Sequence, residues 1–141
     1  NAHTTEVNSK TQHPVIDILP DQKKILSQNR YGGTMRLGSY TAKIRKGTLA
    51  HKAYRSSQVS ERHRHRYEVN PKYIGKLEKA GLIFSATSPD RRLMEIIELP
   101  EAVHPFFIAS QFHPEFQSTP FNPHPLFYKL IEKAKKSNSN K

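Results

Sequence analysis

The stretch 70–109 most constrains the fold, because a helix with signals at both ends is followed there by three short apolar runs. Asn70 can cap that helix, and Pro71 stands at its first position, where a missing N–H costs no hydrogen bond. Tyr73, Ile74, Leu77 and Ala80 recur on one helical face, and Gly81 ends the pattern. Residues 82–86 and 93–99 then read as strands on either side of a Ser-Pro-Asp turn. Glu95 and Glu98 bracket Ile96-Ile97, which places that strand near a sheet edge. Phe106-Phe107-Ile108-Ala109 reads as a strand buried on both faces. Helices interleaved with strands predict an α/β class.

The flanks are read with the same rules. Residues 1–13 are polar and read as a loop. Val15, Ile16, Ile18 and Leu19, ended by Pro20, form a short buried strand or turn. Residues 21–30 are polar, and Gly32-Gly33 punctuates the chain. Leu37, Tyr40, Ala42 and Ile44 predict a strand over 35–44 with a bend at Gly38, and 48–54 a short helix. A last helix follows Pro123 and Pro125, with Leu126, Phe127, Leu130, Ile131 and Ala134 at helical spacing. The expected domain spans 1–134, and 135–141 reads as a basic, disordered tail.

At the end of the last apolar run stands Gln111-Phe112-His113-Pro114-Glu115. Pro114 biases His113 toward extended geometry and interrupts a strand ladder, so His113 is expected at a strand's carboxyl end. Open α/β sheets bind ligands at that end. In extended backbone, positions 113 and 115 point to one side, so Glu115 can orient the imidazole and favour its protonated form. A histidine so held can take a proton from a thiol near neutral pH. The chain contains no cysteine, so the arrangement is the acid–base part of a site without its nucleophile. The bland alternative is a surface turn with an incidental ion pair.

Three other patterns compete for a role. In Glu61-Arg62-His63-Arg64-His65-Arg66-Tyr67-Glu68-Val69-Asn70, strand alternation would put Arg62, Arg64 and Arg66 on one face and His63, His65 and Tyr67 on the other. Such a row is a solvated surface, a carboxylate or phosphate site, or a nucleic-acid contact. Residues 33–39 approach a phosphate-binding loop but carry Ser39 where lysine is required, so a glycine-hinged strand is the better reading. His63 and His65 with His113 or His124 invite a metal site, but none of the histidine pairs considered has helical i, i+4 spacing and no thiol assists, so no metal is expected. The net charge of +11, from 23 Lys and Arg against 12 Asp and Glu, leaves an anionic partner open. No apolar run approaches the ~20 residues of a membrane span, and no signal-peptide pattern is visible. An apolar share of 35% implies a thin core.

Taken together, residues 32–38 (Gly-Gly-Thr-Met-Arg-Leu-Gly), 61–70 and 111–116 (Gln-Phe-His-Pro-Glu-Phe) resemble the CTP synthase family. The resemblance is to the later portion of its class I glutamine amidotransferase domain. Asn1-Ala-His-Thr-Thr-Glu6, the segment 13–20, Thr119-Pro120 and His124-Pro125-Leu126-Phe127 fit the same family. It implies a flavodoxin-like three-layer sandwich with a mixed central sheet, of which only the C-terminal half is present.

The family makes CTP from UTP with ATP and glutamine-derived ammonia, using a Cys-His-Glu triad. By the resemblance His113 is the general base and then acid, and Glu115 orients it. Arg66 would hold the α-carboxylate of glutamine and Glu6 its α-ammonium. The implied parent is a cytoplasmic homotetramer needing ATP and Mg2+, with GTP as allosteric activator. No cofactor is expected on this piece itself. The catalytic cysteine and the oxyanion loop precede, in the family, the segment that begins here at Asn1. The chain is therefore expected to be a fragment that cannot hydrolyse glutamine alone. The rival readings are a basic nucleic-acid-binding module using Arg62, Arg64, Arg66 and the lysine-rich tail, and a catalytically dead amidotransferase-like assembly protein.

Overall fold

The computed structural model describes residues 1–19 and 35–138. The polar stretch 21–30, Pro20 and Gly32-Gly33 lie outside them. Two sheets and three helices form among the described residues, an α/β arrangement.

The smaller sheet joins β1 (Ala2–Thr4), β2 (His13–Asp17) and β5 (Glu68–Val69) in the order β1-β2-β5. β1 runs parallel to β2, and β5 antiparallel, so the expected mixture of strand directions resides here. The opening segment is thus not all loop. Ala-His-Thr carries no alternation of its own; pairing with β2 makes it a strand, and Thr5 N–H prolongs the contact by donating to the Ile16 carbonyl at 3.0 Å.

The larger sheet is antiparallel throughout. Its strands are β3 (Arg36–Ile44), β4 (Gln58–His65), β6 (Ile83–Thr87), β7 (Met94–Glu98) and β8 (Ile108–Ser110), in the order β4-β3-β6-β7-β8. Gly38 takes a φ of 102°, the left-handed region that glycine tolerates, where the bend was expected. Ala42 and Ile44 of β3 enter the core with Ala86, Ile96, Phe112 and Leu126.

β7 is one strand in from the edge, near it as expected, but its carboxylates are buried. It lies between β6 and β8, and Glu95 and Glu98 are only 1% and 2% exposed. Buried carboxylates are tolerated when charge or N–H donors meet them. Glu95 meets Arg36 at 2.8 Å. Glu98 accepts the Leu49 and Ala50 N–H groups at 2.7 and 3.0 Å, the opening donors of α1 (Leu49–Tyr54). Thr48 caps the same helix by accepting from His51 N–H.

β8 is a correction. The pairing starts at Ile108, two residues later than expected, and among the described residues β8 is an edge strand bonded to β7 alone. The chain before it is engaged in a turn closed by Val103 and His104 N–H on the Pro100 carbonyl. α2 (Pro71–Lys79) has the Asn70 cap and Pro71 start expected of it. α3 (Pro125–Asn138) runs into the 135–141 segment expected to be disordered, while residues 139–141 lie outside the description. Only Leu126 of its apolar stripe is buried; Phe127, Leu130 and Ile131 remain exposed among the described residues. Phe127 and Leu130 face Phe106, Phe107 and Ile108 across an open cavity of about 350 Å³.

Candidate active site

His113 sits where the larger sheet releases the chain. Gln111 N–H extends the β8 ladder by donating to the Glu95 carbonyl at 2.9 Å. Phe112 then plunges into the core, and Pro114 opens a single 3-10 turn (Pro114–Gln117). His113 keeps an extended backbone, with φ −105° and ψ 93°, at the carboxyl end of β8.

His113 Nδ1 lies 2.6 Å from Glu115 Oε1. A carboxylate only accepts here, so Nδ1–H donates and Nε2 is left as the proton-accepting nitrogen. The contact arises differently from the expected strand alternation, because Glu115 stands in the 3-10 turn, which curls its carboxylate back beneath the ring. The His113 bond, before all other influences, holds the Glu115 carboxyl below its ordinary range. Phe116 stacks on the imidazole at 4.9 Å and 20° between planes.

Two anchors tie this loop to β4. His113 N–H donates to the Arg62 carbonyl at 2.9 Å. Gln117 Nε2 donates to the Ser60 carbonyl and to Glu61 Oε2, at 3.1 and 2.9 Å. Glu61 is buried and also accepts from Tyr54 Oη at 2.7 Å, with His124 Nε2 at 3.0 Å. Burial and then the Glu61 carboxylate push the Tyr54 phenol far above its usual range. This centre joins α1, β4 and the start of α3, and composition and spacing did not reveal it.

The Arg-His-Arg-His-Arg run divides. β4 ends at His65, so Arg62 and Arg64 lie exposed on the outer face, beside Ser39 and Leu37, while Arg66 and Tyr67 belong to the turn before β5. The expected single row of three arginines is therefore only two on the strand. Arg66 is half-buried. Glu6 is exposed just after β1, its N–H bonded to Thr4 Oγ1 at 3.2 Å. Because β1 is parallel and β5 antiparallel to β2, the residue after β1 and the turn before β5 fall at the same end of the smaller sheet. The topology thus brings Glu6 and Arg66 to one end.

His63 and His65 share a face, as alternation predicts, and the fold turns it inward. Their rings approach at 2.8 Å, Nδ1 to Nε2. Burial first, then the Arg36 guanidinium, lowers His63 to about 3 and His65 to about 4, so both are neutral near pH 7. Beside them Arg36 bridges Glu95 at 2.8 Å and Glu68 at 3.3 Å. Burial raises Glu68 to about 7, against the pull of Arg36. These histidines are committed to internal contacts, and among the described residues no group of three His, Cys, Asp or Glu side chains is placed to hold a metal ion. Gly38 and Ser39 lie within a strand and form no phosphate loop.

Comparison with known proteins defines the class. Residues 8–133 match the model of the glutamine amidotransferase class-I family, and the chain belongs to that family. Within it, the chain is similar to proteins named CTP synthase: 56% identical to that of Archaeoglobus fulgidus over 96% of this chain and 24% of that protein. Against the CTP synthase of Rubrobacter xylanophilus it is 60% identical over 89% of this chain and 22% of that protein. The chain thus spans about a quarter of the length of these relatives. Among solved structures, the glutaminase domain of Trypanosoma brucei CTPS with bound acivicin superposes with a TM-score of 0.82 at 38% identity, over 96% of this chain and 51% of that one. Among the described residues no helix is long and apolar enough to cross a membrane.

Proposed function

We propose that this chain supplies the histidine–carboxylate part of a glutamine-hydrolysing site in a CTP synthase. One observation carries the reading: the 2.6 Å His113–Glu115 contact at the carboxyl end of β8, in a chain of amidotransferase family. Glu115 fixes the Nδ1–H tautomer, and Nε2 of His113 accepts the proton of a cysteine thiol supplied from outside these residues. The thiolate attacks the carboxamide carbon of glutamine. His113 returns the proton to the departing nitrogen, which leaves as ammonia, and a thioester remains. His113 then draws a proton from water as the water oxygen attacks, releasing glutamate and the thiol. Arg66 offers its planar fork to the substrate's α-carboxylate, and Glu6 an acceptor to its ammonium.

The whole enzyme, on this reading, is a cytoplasmic ligase that uses the ammonia, with ATP and Mg2+, to convert UTP to CTP. GTP activates it, and it assembles as a homotetramer through a synthetase domain. The nucleic-acid reading leaves the dyad and its two anchors on β4 without a purpose. The test is glutamate release from glutamine. The pure chain is expected to release none, because it lacks a nucleophile, and the intact enzyme to lose roughly 10³-fold or more in kcat on His113→Ala. Glutamate release by the pure chain, abolished by His113→Ala, would overturn the reading.

A further inference from the structure

Gln111 is the residue of the Gln-Phe-His-Pro-Glu motif that the mechanism above does not use. Its side chain nevertheless leaves the β8 strand and reaches the turn that carries Arg66. Nε2 of Gln111 lies 2.6 Å from the Tyr67 carbonyl, 3.1 Å from His65 Nδ1 and 3.5 Å from Glu68 Oε2. Arg66 is the residue between the two close contacts.

The closest contact fixes how the Gln111 amide is turned. An amide oxygen facing the Tyr67 carbonyl at 2.6 Å would be repelled, so the NH2 group faces it and donates. His65 Nδ1 lies 3.1 Å from that amide nitrogen and 3.1 Å from the same carbonyl, so ring and amide meet at one oxygen. The other ring nitrogen of His65 lies 2.8 Å from His63 Nδ1, one of the pair donating to the other. His63 Nε2 stands 3.5 Å from Glu95 Oε2. Glu95 is held by Arg36, which also holds Glu68 at the far side of the turn. The turn 65–68 is thereby gripped at His65, at the Tyr67 carbonyl and at Glu68. All three grips sit on residues that are buried or half-buried.

The grip has a consequence because of where Gln111 stands. It lies two residues before His113, and its N–H is locked to β7. The segment that aims the imidazole and the turn that aims Arg66 are thus clamped to each other, although His113 stands 47 positions after Arg66. We infer that Gln111 is a positioning residue, which acts through the Tyr67 carbonyl and His65 to hold Arg66 at a fixed distance from His113. The inference rests on the proposed role of Arg66 toward the α-carboxylate of glutamine.

Two arms test it, and they separate the clamp from that role. In this chain, the Gln111 side-chain NH2 protons should exchange slowly with solvent, and Gln111→Met should quicken backbone amide exchange across 65–68. Rapid exchange of the Gln111 side-chain NH2 protons in the unaltered chain would overturn the clamp, whatever Arg66 binds. In the intact glutamine-hydrolysing enzyme, Gln111→Met keeps the size and removes both donors, and Gln111→Glu turns a donor into an acceptor against a carbonyl. Each is expected to raise KM for glutamine about tenfold, the worth of one to two hydrogen bonds, with kcat within about twofold. Arg66→Ala should raise it further. Synthesis fed directly with ammonia should be unchanged and shows that the variants fold. A raised KM in Arg66→Ala with both Gln111 variants unaltered would sink the clamp and keep the role of Arg66. An unaltered KM in Arg66→Ala would sink that role and the clamp with it. A loss confined to kcat in the Gln111 variants would place Gln111 behind His113 rather than Arg66, and overturn the inference.

Discussion

Arg36 shows how one residue organises the interior beneath the site. Its guanidinium touches Glu68 and Glu95 and lies 4.6 Å from the centre of the Tyr40 ring. Two buried carboxylates with one cation form an unbalanced set, and burial together with Glu95 keeps Glu68 partly protonated near pH 7. Removing the cation would leave both carboxylates without their counter-ion. Arg36→Leu is therefore expected to destabilise the chain by about 3–5 kcal/mol in denaturant unfolding. Arg36→Leu combined with Glu68→Gln and Glu95→Gln should recover part of that loss. Little of this was legible in advance. Glu95 alternates with apolar neighbours like any edge residue, and its partner lies 59 positions away.

At the scale of elements, α1 is six residues long, too short to be stable on intrinsic propensity. Its position depends on Glu98, whose two oxygens accept its first N–H groups from the opposite strand. Glu98→Ala removes two charge-assisted bonds and is expected to lower stability by about 2–3 kcal/mol in a thermal melt. Thr48→Ala, which removes only the local cap, should cost about 1 kcal/mol. The ranking distinguishes a helix held by the sheet from one held by its own cap. The helix starts at Thr48 and Asn70 were readable because capping is local. The place of β7 inside the sheet was not, since it depends on β8 adding to its far side. β1 likewise exists because β2 is available to pair with it.

For the whole molecule, the His63–His65 pair and Glu68 set opposing dependences on pH. The rings are held at about 3 and about 4 against an ordinary 6.5, so the stability their neutral forms contribute is present above pH 6.5 and lost as the pH falls. Glu68 is raised from 4.5 to about 7, so its contribution is present below pH 4.5 and lost as the pH rises through about 7. Between pH 6.5 and 4.5 the unfolded chain binds two ring protons where the fold binds one carboxyl proton. The net is one proton, and stability should fall by up to about 1.4 kcal/mol per pH unit on acidification. The double variant His63→Gln, His65→Gln leaves only Glu68, so the slope in that window should reverse sign in chemical unfolding measured from pH 7 to 4.5.

The sequence by itself determined what acts over a few residues. It set the helix from Asn70 to Gly81, the bend at Gly38, the shared face of His63 and His65, and the location of His113 at a strand end. The family was legible for the same reason, because its motifs are contiguous strings. The tertiary structure alone decided which distant groups meet. It buried Glu95 and Glu98, curled Glu115 under His113 through a 3-10 turn, and joined Gln111 to the turn of Arg66. Burial of a charged or hydrogen-bonding group depends on partners that the chain supplies tens of residues away, and no local pattern records them.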